Sequence, residues 1–250
     1  MKNERQKKII SILEVNEYCS ISELAKTLNI SEMTIRRDIN ELEKEKLLFK
    51  EQGGARRRNR VLSTDEKINK HIEEKEYIGT VMNSIIHDND VIFIGAGTTV
   101  YHAIKSIDKL YKSIITNSLF TFNWLVQNKF DNIFLTGGEL YQRTSEFVGL
   151  HAESFFDNLN IDIAFLSTNG IYNENVTTSN PSLGRLQVKV MNASKKNILI
   201  ADSSKFDYSD MYTFTTLDKI DSVITDNKIS DEKFEYYSKY TKMINRRIDS

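Results

Sequence analysis

Two neighbouring arginines, Arg36 and Arg37, are the side chains whose type and spacing most directly suggest nucleic-acid chemistry. They follow Ser31 and Thr34, which take the N-cap and third positions of a predicted helix. Four apolar residues recur near helical spacing and are predicted to face a core: Met33, Ile35, Ile39 and Leu42. Ser31, Thr34, Arg36 and Arg37 are the predicted DNA-contacting residues of this helix, because arginines on its remaining faces suit a DNA groove with phosphates at its walls and base edges at its floor.

The segments on either side of this helix complete a pattern that is typical of DNA-binding domains. A first amphipathic helix is predicted from Arg5 to Leu13, and a second, capped by Ser22, from Glu23 to Leu28. Helix, short turn and helix is the helix-turn-helix arrangement. The basic ribbon that follows is turned by glycines, and its predicted DNA-contacting residues are Lys50, Gly53, Gly54 and Arg56. The alternative is a small helical bundle with a solvated basic face.

A second group of residues suggests anion binding. Glycines and hydroxyls follow three predicted strands, and two cations lie after strands as well. Ligands of open parallel sheets bind at the carboxyl ends of strands, where glycines let backbone N–H groups approach an anion. The predicted ligand-contacting residues are Gly95, Gly97, Thr98, Thr99, Thr116, Asn117, Ser118, Gly137, Gly138, Glu139, Arg143 and Lys205.

The elements that must position this second group alternate along the chain. A long helix is predicted over 72–86. Short apolar strands are predicted at 91–94, 113–115, 132–135, 161–166, 197–201 and 222–224. Helices are predicted between them at 101–106, 120–127, 152–158 and 186–193. Apolar strands separated by helices predict a largely parallel sheet that is covered on both faces.

Composition sets outer limits on the class of protein. A chain of 250 residues can hold two domains. Residues 1–60 carry 14 basic and 10 acidic side chains, whereas the remainder carries 20 and 25, so the basic end is the predicted DNA-binding end. Cys19 is the only cysteine, which fits a reducing compartment. Neither a signal peptide nor a membrane span is predicted, and the expected location is the cytoplasm.

The segment Thr34–Asp38, followed by Gly53–Ala55, resembles the DeoR family of bacterial repressors, and the glycine loops with Lys205 resemble the sensor domain of that family. The resemblance implies an α/β fold class: an N-terminal winged helix-turn-helix and a largely parallel α/β sensor domain resembling ribose-5-phosphate isomerase. It implies a DNA-binding domain at 1–60, a linker and the start of a connecting helix at 61–74, and a sugar-phosphate sensor at 75–250. The implied partners are double-stranded operator DNA and a phosphorylated sugar that releases the repressor from it.

The chain departs from the family pattern in three places, one of which is Gln52, where the family often has histidine. Lys50 stands where the family usually has arginine, and it keeps the charge but lacks the planar fork of a guanidinium. The stretch 177–185 lacks the acidic residues of many members, so Ser179, Asn180 or Arg185 would have to replace their ligand contacts.

Two other functions stay open at this stage. The chain could be a sugar-phosphate isomerase or deaminase with an attached DNA-binding head, or a DNA-binding protein that has lost ligand sensing. The related enzymes carry acids where this chain has Ser167–Gly170, so no catalytic residue is predicted, although Glu139 and Asp202 could act as bases. No metal site or cofactor is predicted either. A homo-oligomer, dimer or tetramer, is predicted because two DNA-binding heads on one duplex bind more tightly than one.

Overall fold

The computed structural model of the protein describes residues 4–16, 18–45, 47–57 and 64–246. The chain divides into two compact units, Met1–Val61 and Leu62–Ser250, which we call the head unit and the sensor unit. The first residues of the predicted linker, 61–63, lie outside the described residues. The elements of the head unit are α1 (Glu4–Asn16), β1 (Tyr18–Ser20), α2 (Ile21–Leu28), α3 (Glu32–Lys44), β2 (Leu48–Glu51) and β3 (Gly54–Arg57).

The head unit is a winged helix-turn-helix, and local sequence explains its helix starts. Ser31 caps α3 by accepting a hydrogen bond from the Thr34 amide, as predicted. The predicted cap of α2 at Ser22 is wrong, because the cap is Ser20, two residues earlier, which forms a reciprocal capping box with Glu23. Strands β1, β3 and β2 form an antiparallel sheet in that order, and β1 was not predicted.

The apolar core of the head unit confirms three of the four predicted core residues of α3. Ile35, Ile39 and Leu42 are buried against α1 and α2 residues such as Ile9 and Leu24. Met33 was also predicted to face the core, and this is wrong: the residue is 77% exposed. Residues two apart on a helix point about 200° from one another, so Met33 cannot share the face of Ile35.

The sensor unit begins with two helices and then alternates strands and helices. Its helices are α4 (Thr64–Lys67), α5 (Ile72–Asn83), α6 (Thr98–Ala103), α7 (Leu119–Gln127), α8 (Leu150–Ser154), α9 (Pro181–Asn192) and α10 (Asp231–Tyr237). Its strands are β4 (Val91–Ile94), β5 (Ser113–Thr116), β6 (Ile133–Leu135), β7 (Glu139–Tyr141), β8 (Glu146–Val148), β9 (Ile161–Ser167), β10 (Gly170–Tyr172), β11 (Asn175–Thr178), β12 (Ser194–Ile200), β13 (Tyr212–Thr216), β14 (Ser222–Ile224) and β15 (Lys242–Ile244).

Seven of these strands form one parallel sheet in the order β15-β14-β12-β9-β4-β5-β6. One apolar cluster covers each face, centred on Phe93 and Leu166 on one side and on Ile92 and Phe165 on the other. The predicted parallel sheet, covered on both faces, is therefore confirmed. The chain leaves β4 toward β5 and β6 and then returns to the other side of β4 with β9, which places a topological switch point between β4 and β9.

Smaller elements of the sensor unit were not predicted from the sequence. The hairpin β7–β8 and the antiparallel sheet β10-β11-β13 both follow the ends of main-sheet strands. Four helices begin earlier than predicted: α6 at Thr98, α7 at Leu119, α8 at Leu150, and α9 at Pro181 with Asn180 as its cap. Among the described residues, no helix combines the length and apolar character that crossing a membrane requires.

Candidate DNA interface and ligand cavity

Helix α3 presents a basic stripe on the side away from its core. Arg36 and Arg37 are exposed, and among the described residues each pairs with a glutamate one turn away on the same helix, at 3.4 Å to Glu32 and 3.2 Å to Glu41. Exposed pairs of this kind contribute little free energy, so both guanidinium groups can leave them for a phosphate or a base. Thr34 is half-buried and its hydroxyl lies 2.9 Å from that of the capping Ser31.

A buried ion pair fixes the orientation of α3. Asp38 is 1% exposed and accepts two hydrogen bonds from the Arg5 guanidinium of α1, one of them 2.9 Å long. A bidentate pair constrains both distance and rotation. The exposed face of α3 is therefore held in one orientation while its own arginines remain movable.

The wing supplies two further cations. Lys50 on β2 donates to the Asn40 side chain of α3 at 2.8 Å, and Arg56 on β3 pairs with Glu51 at 2.6 Å. Gly53 turns the hairpin with a φ of +83°. Gly54 allows close approach of β1, because a Cβ there would lie 2.4 Å from the Cys19 carbonyl oxygen. The two glycines thus shape the wing, and the cations lie on its surface.

The sensor unit contains a cavity of about 50 Å³ at the carboxyl ends of β4 and β9. This is the switch point of the sheet, where ligands of open α/β folds bind. The residues after β4 form one wall, and the residues after β9 form another. The lining residues are Thr64, Lys67, Ala96, Gly97, Thr98, Thr99, Thr144, Glu146, Ser167, Thr168, Asn169, Thr178, Ser179, Leu183, Gln187 and Lys205.

Three lysines give this cavity its positive charge. Lys67 and Lys205 line it, and the buried Lys75 donates to the Lys67 carbonyl and to the Thr98 hydroxyl, both at 2.9 Å. Burial, reinforced by Lys205, lowers the pKa of Lys67 to about 8. Burial also lowers the pKa of Lys75 to about 8, against the attraction of Asp202. The Lys205 ammonium makes no hydrogen bond or ion pair with any group that the structure describes, whereas its backbone amide donates to the Asp202 carbonyl at 2.9 Å.

Two carboxylates accompany the lysines, and their pKa values are shifted in opposite directions. Asp202 is buried and accepts from Thr99 at 3.3 Å. Burial acts to raise its pKa, but Lys205 and a hydrogen bond from Ser204 outweigh burial and leave the pKa below its ordinary value. Burial raises the pKa of Glu146, against hydrogen bonds from Thr144 and Asn117 and the attraction of Lys67. The cavity therefore combines positive charge with one acid whose pKa is lowered and one whose pKa is raised.

The cavity brings together four of the twelve residues predicted to contact a ligand: Gly97, Thr98, Thr99 and Lys205. Gly95 lies beneath it, with its amide donating to the Phe165 carbonyl at 2.9 Å. The segment Thr116–Ser118 lies behind Glu146, and Asn117 donates to that carboxylate at 3.4 Å. Four others belong to the β7–β8 hairpin and the turns beside it and do not line the cavity: Gly137, Gly138, Glu139 and Arg143.

Sequence reasoning missed Lys67, Lys75 and Glu146. Lys75 carried a usable signal, because it stands three residues before Ile78 and seven before Met82, on the buried stripe of α5. A lysine at such a position needs polar partners inside the protein. Lys67 and Glu146 had no comparable signal, because each lies beside the cavity only through tertiary contacts of α4 and of the β7–β8 hairpin.

Comparison with known proteins matches each of the two units to a known domain. The model of the DeoR-like helix-turn-helix domain matches residues 5–61, and the model of the DeoR C terminal sensor domain matches residues 70–227. The chain is 32% identical to the lactose phosphotransferase system repressor of Streptococcus mutans, over 98% of this chain and 99% of that one. It is 35% identical to the repressor of the same name from Lactococcus lactis, over 97% and 98% of the two chains.

A solved structure with a similar arrangement is ribose 5 phosphate isomerase A from Neisseria gonorrhoeae, with 17% identity, a TM-score of 0.39, and coverage of 57% of this chain and 56% of that one. The family predicted from the recognition helix, the wing and the glycine loops is confirmed by the two domain models, which together match most of the chain. The chain belongs to the DeoR family of DNA-binding repressors, with a helix-turn-helix head followed by a DeoR sensor domain.

Proposed function

We propose that the protein represses a sugar-utilisation operon by binding its operator through α3 and the wing, and that a phosphorylated sugar in the sensor cavity releases it. The observation that carries this proposal is the group of Lys67, Lys75 and Lys205 around a cavity at the switch point. Three cations beside one another destabilise a site that stays empty. A phosphate dianion would neutralise them, so the charge pattern favours an anionic ligand.

Hydroxyl groups on the same walls suit the rest of such a ligand. Thr98 accepts a hydrogen bond from Lys75 and keeps its own hydrogen for a ligand oxygen. The Ser179 hydroxyl lines the cavity and is buried with no hydrogen-bond partner among the residues that the structure describes. A buried polar atom without a partner carries a free-energy penalty that a ligand hydroxyl or phosphate oxygen would remove.

Release from DNA follows from differential affinity. The ligand lowers operator affinity only if it binds the DNA-free arrangement of the protein more tightly than the DNA-bound one. A coupling of about 1–3 kcal/mol lowers operator affinity roughly 5–150-fold, and DNA must weaken ligand binding by the same factor. The relatives are named as repressors of the lactose phosphotransferase system, so phosphorylated sugars from such uptake are the first ligands to test.

The central experiment measures both sides of this coupling. Operator binding is followed by fluorescence anisotropy, with DNA selected by the parent protein from a random pool, while tagatose 6-phosphate, fructose 6-phosphate and inorganic phosphate are titrated. We expect a sugar phosphate to release the DNA, and Lys205→Ala to bind DNA normally but not release. The exposed Lys109 offers a matched control, since Lys109→Ala removes the same charge elsewhere. Release that is unchanged in Lys205→Ala would contradict the site.

One observation favours the enzymatic alternative. The pKa of Glu146 is raised by burial, and a carboxylate with a raised pKa beside a sugar-phosphate cavity resembles a general base. We favour the sensor function because relatives that are 32% and 35% identical to the chain are named as repressors. Incubation of the pure protein with sugar phosphates, followed by NMR, decides between the two: isomerised or deaminated product would establish catalysis.

Two further parts of the proposal concern assembly and location. We propose a homo-oligomer, because one winged helix buries little surface and two heads on one duplex raise affinity through effective concentration. Light scattering that shows a monomer at micromolar concentration would contradict it. We also place the protein in the cytoplasm, where its operator DNA would be.

A further inference from the structure

Glu146 stands out in a cavity that otherwise collects positive charge. It is half-buried, is the first residue of β8, and lines the same cavity as Lys67 and Lys205. A carboxylate repels a phosphate, so phosphate binding alone does not explain its presence. No ion pair within 4 Å joins Glu146 to a lysine among the residues that the structure describes, so it is not simply a counter-ion.

The backbone around Glu146 fixes its position firmly. Ser118 and Glu146 form an antiparallel bridge, and the Phe147 amide donates to the Asn117 carbonyl at 2.7 Å. The Leu119 amide also donates to the Ser145 carbonyl at 2.9 Å. The hairpin is thereby attached to the end of β5 on both sides of Glu146, and the side chain is aimed at the cavity by regular backbone contacts.

The carboxylate has unused capacity to accept hydrogen bonds. The Asn117 side-chain amide donates to Oε2 at a long 3.4 Å, and Thr144 is the second donor beside the carboxylate. An ionised carboxylate can accept about four hydrogen bonds. A group with this capacity, held at the wall of a cavity, suits a ligand that brings O–H donors.

We propose that Glu146 is the specificity-determining residue of the cavity: it accepts hydrogen bonds from sugar hydroxyls and rejects ligands that carry a second phosphate there. This inference rests on the proposed function and narrows the ligand to sugar monophosphates. Hydroxyl groups donating to a carboxylate form strong, short hydrogen bonds, whereas a second phosphate beside it meets like charge. The lysines bind the phosphate and Glu146 distinguishes what is attached to it.

The experiment compares four probes on the full chain by isothermal titration calorimetry: inorganic phosphate, tagatose 6-phosphate, fructose 6-phosphate and fructose 1,6-bisphosphate. Glu146→Gln keeps the shape of the side chain and the bond to Asn117 but removes the charge. We expect Glu146→Gln to lower the affinity for the better-bound monophosphate about 10–100-fold. The affinity for inorganic phosphate should rise or stay within about twofold of the parent's, and the affinity for the bisphosphate should rise. Glu235→Gln, at an exposed position of α10, controls for net charge.

Each outcome is decisive. A parent protein that binds neither inorganic phosphate nor any sugar phosphate overturns the proposed function and this inference with it. This inference alone is overturned if the parent protein binds a sugar monophosphate but Glu146→Gln weakens that binding no more than it weakens the binding of inorganic phosphate. Thermal unfolding of both variants is the control for folding. Melting temperatures close to that of the parent show that the comparison concerns folded protein.

Discussion

Replacing Lys75 by methionine separates the stability of the sensor unit from its capacity to bind an anion. Lys75 is 3% exposed, and burial lowers its pKa from 10.5 to about 8. Such a shift destabilises the folded state by roughly 3 kcal/mol at pH 7, where the lysine is charged in both the folded and the unfolded protein. Methionine has a similar shape and removes this penalty.

The variant also loses two hydrogen bonds, which opposes the gain. Without the ammonium group, the Lys67 carbonyl and the Thr98 hydroxyl lack their donor, at a penalty of about 1–3 kcal/mol. At pH 7 we therefore expect Lys75→Met to be as stable as the parent protein or up to about 2 kcal/mol more stable. We expect the same variant to lose most of its affinity for phosphate.

The pH dependence provides a sharper test of the same reasoning. Between pH 8 and 10.5 the unfolded state binds more protons at Lys75 than the folded state, so the stability of the parent protein rises with pH relative to the variant. From pH 7 to pH 9.5 the difference between the two should shift by about 2 kcal/mol in favour of the parent. Urea unfolding at both pH values measures it, with Lys109→Met as the exposed control. Parallel stability curves for the parent and Lys75→Met would refute a perturbed Lys75.

Four further predictions follow from the same contacts. Arg37→Ala should weaken specific DNA binding by about 1–3 kcal/mol without changing stability, and unchanged affinity in a filter-binding assay would contradict its place on the reading face. Lys50→Ala should weaken all DNA sequences alike and lower the slope of log affinity against log salt by roughly 0.9; a loss confined to one sequence would argue against a phosphate contact. Affinity for inorganic phosphate should fall above about pH 8, by about tenfold per pH unit for each lysine that must take up a proton, such as Lys67; calorimetry in two buffers measures the proton uptake, and a flat profile to pH 9.5 would exclude it. Gly54→Ala should lower the free energy of unfolding by about 1–3 kcal/mol, because its Cβ would lie 2.4 Å from the Cys19 carbonyl oxygen; a variant as stable as the parent in urea would show that the wing adapts.

The parts of the fold that were predicted correctly depend on short-range signals. Ser31 and the apolar period of α3 lie within one helix, and the strand Val91–Ile94 is a single apolar run, so neither requires knowledge of distant contacts. Lys205 was predicted to contact a ligand because it comes soon after a predicted strand, and it lines the cavity. These signals were sufficient for the family, the fold class and part of one cavity wall.

The remainder depends on tertiary contacts that one sequence does not reveal. The hairpin that carries Glu146 covers the end of β5, and nothing in its own residues indicates that placement. Glu139 was predicted to contact the ligand because it directly follows the Gly137–Gly138 turn, yet it is exposed and does not line the cavity. Glycine turns at strand ends identify the edge of the sheet, but they do not distinguish the residues that form the binding wall from those that turn away.

The short helix α4 has a consequence for anyone who wishes to transplant this sensor. Thr64 and Lys67 line the cavity, and Thr64 also donates to the Thr144 carbonyl at 3.0 Å, yet both precede residue 70, where the match to the family's sensor domain begins. A chimera cut at that boundary would contain the complete sheet but would lack one of the three lysines. The sensor unit keeps this part of its cavity wall in a chimera only when the cut is made upstream of Thr64, so residues before the matched sensor domain still belong to the cavity.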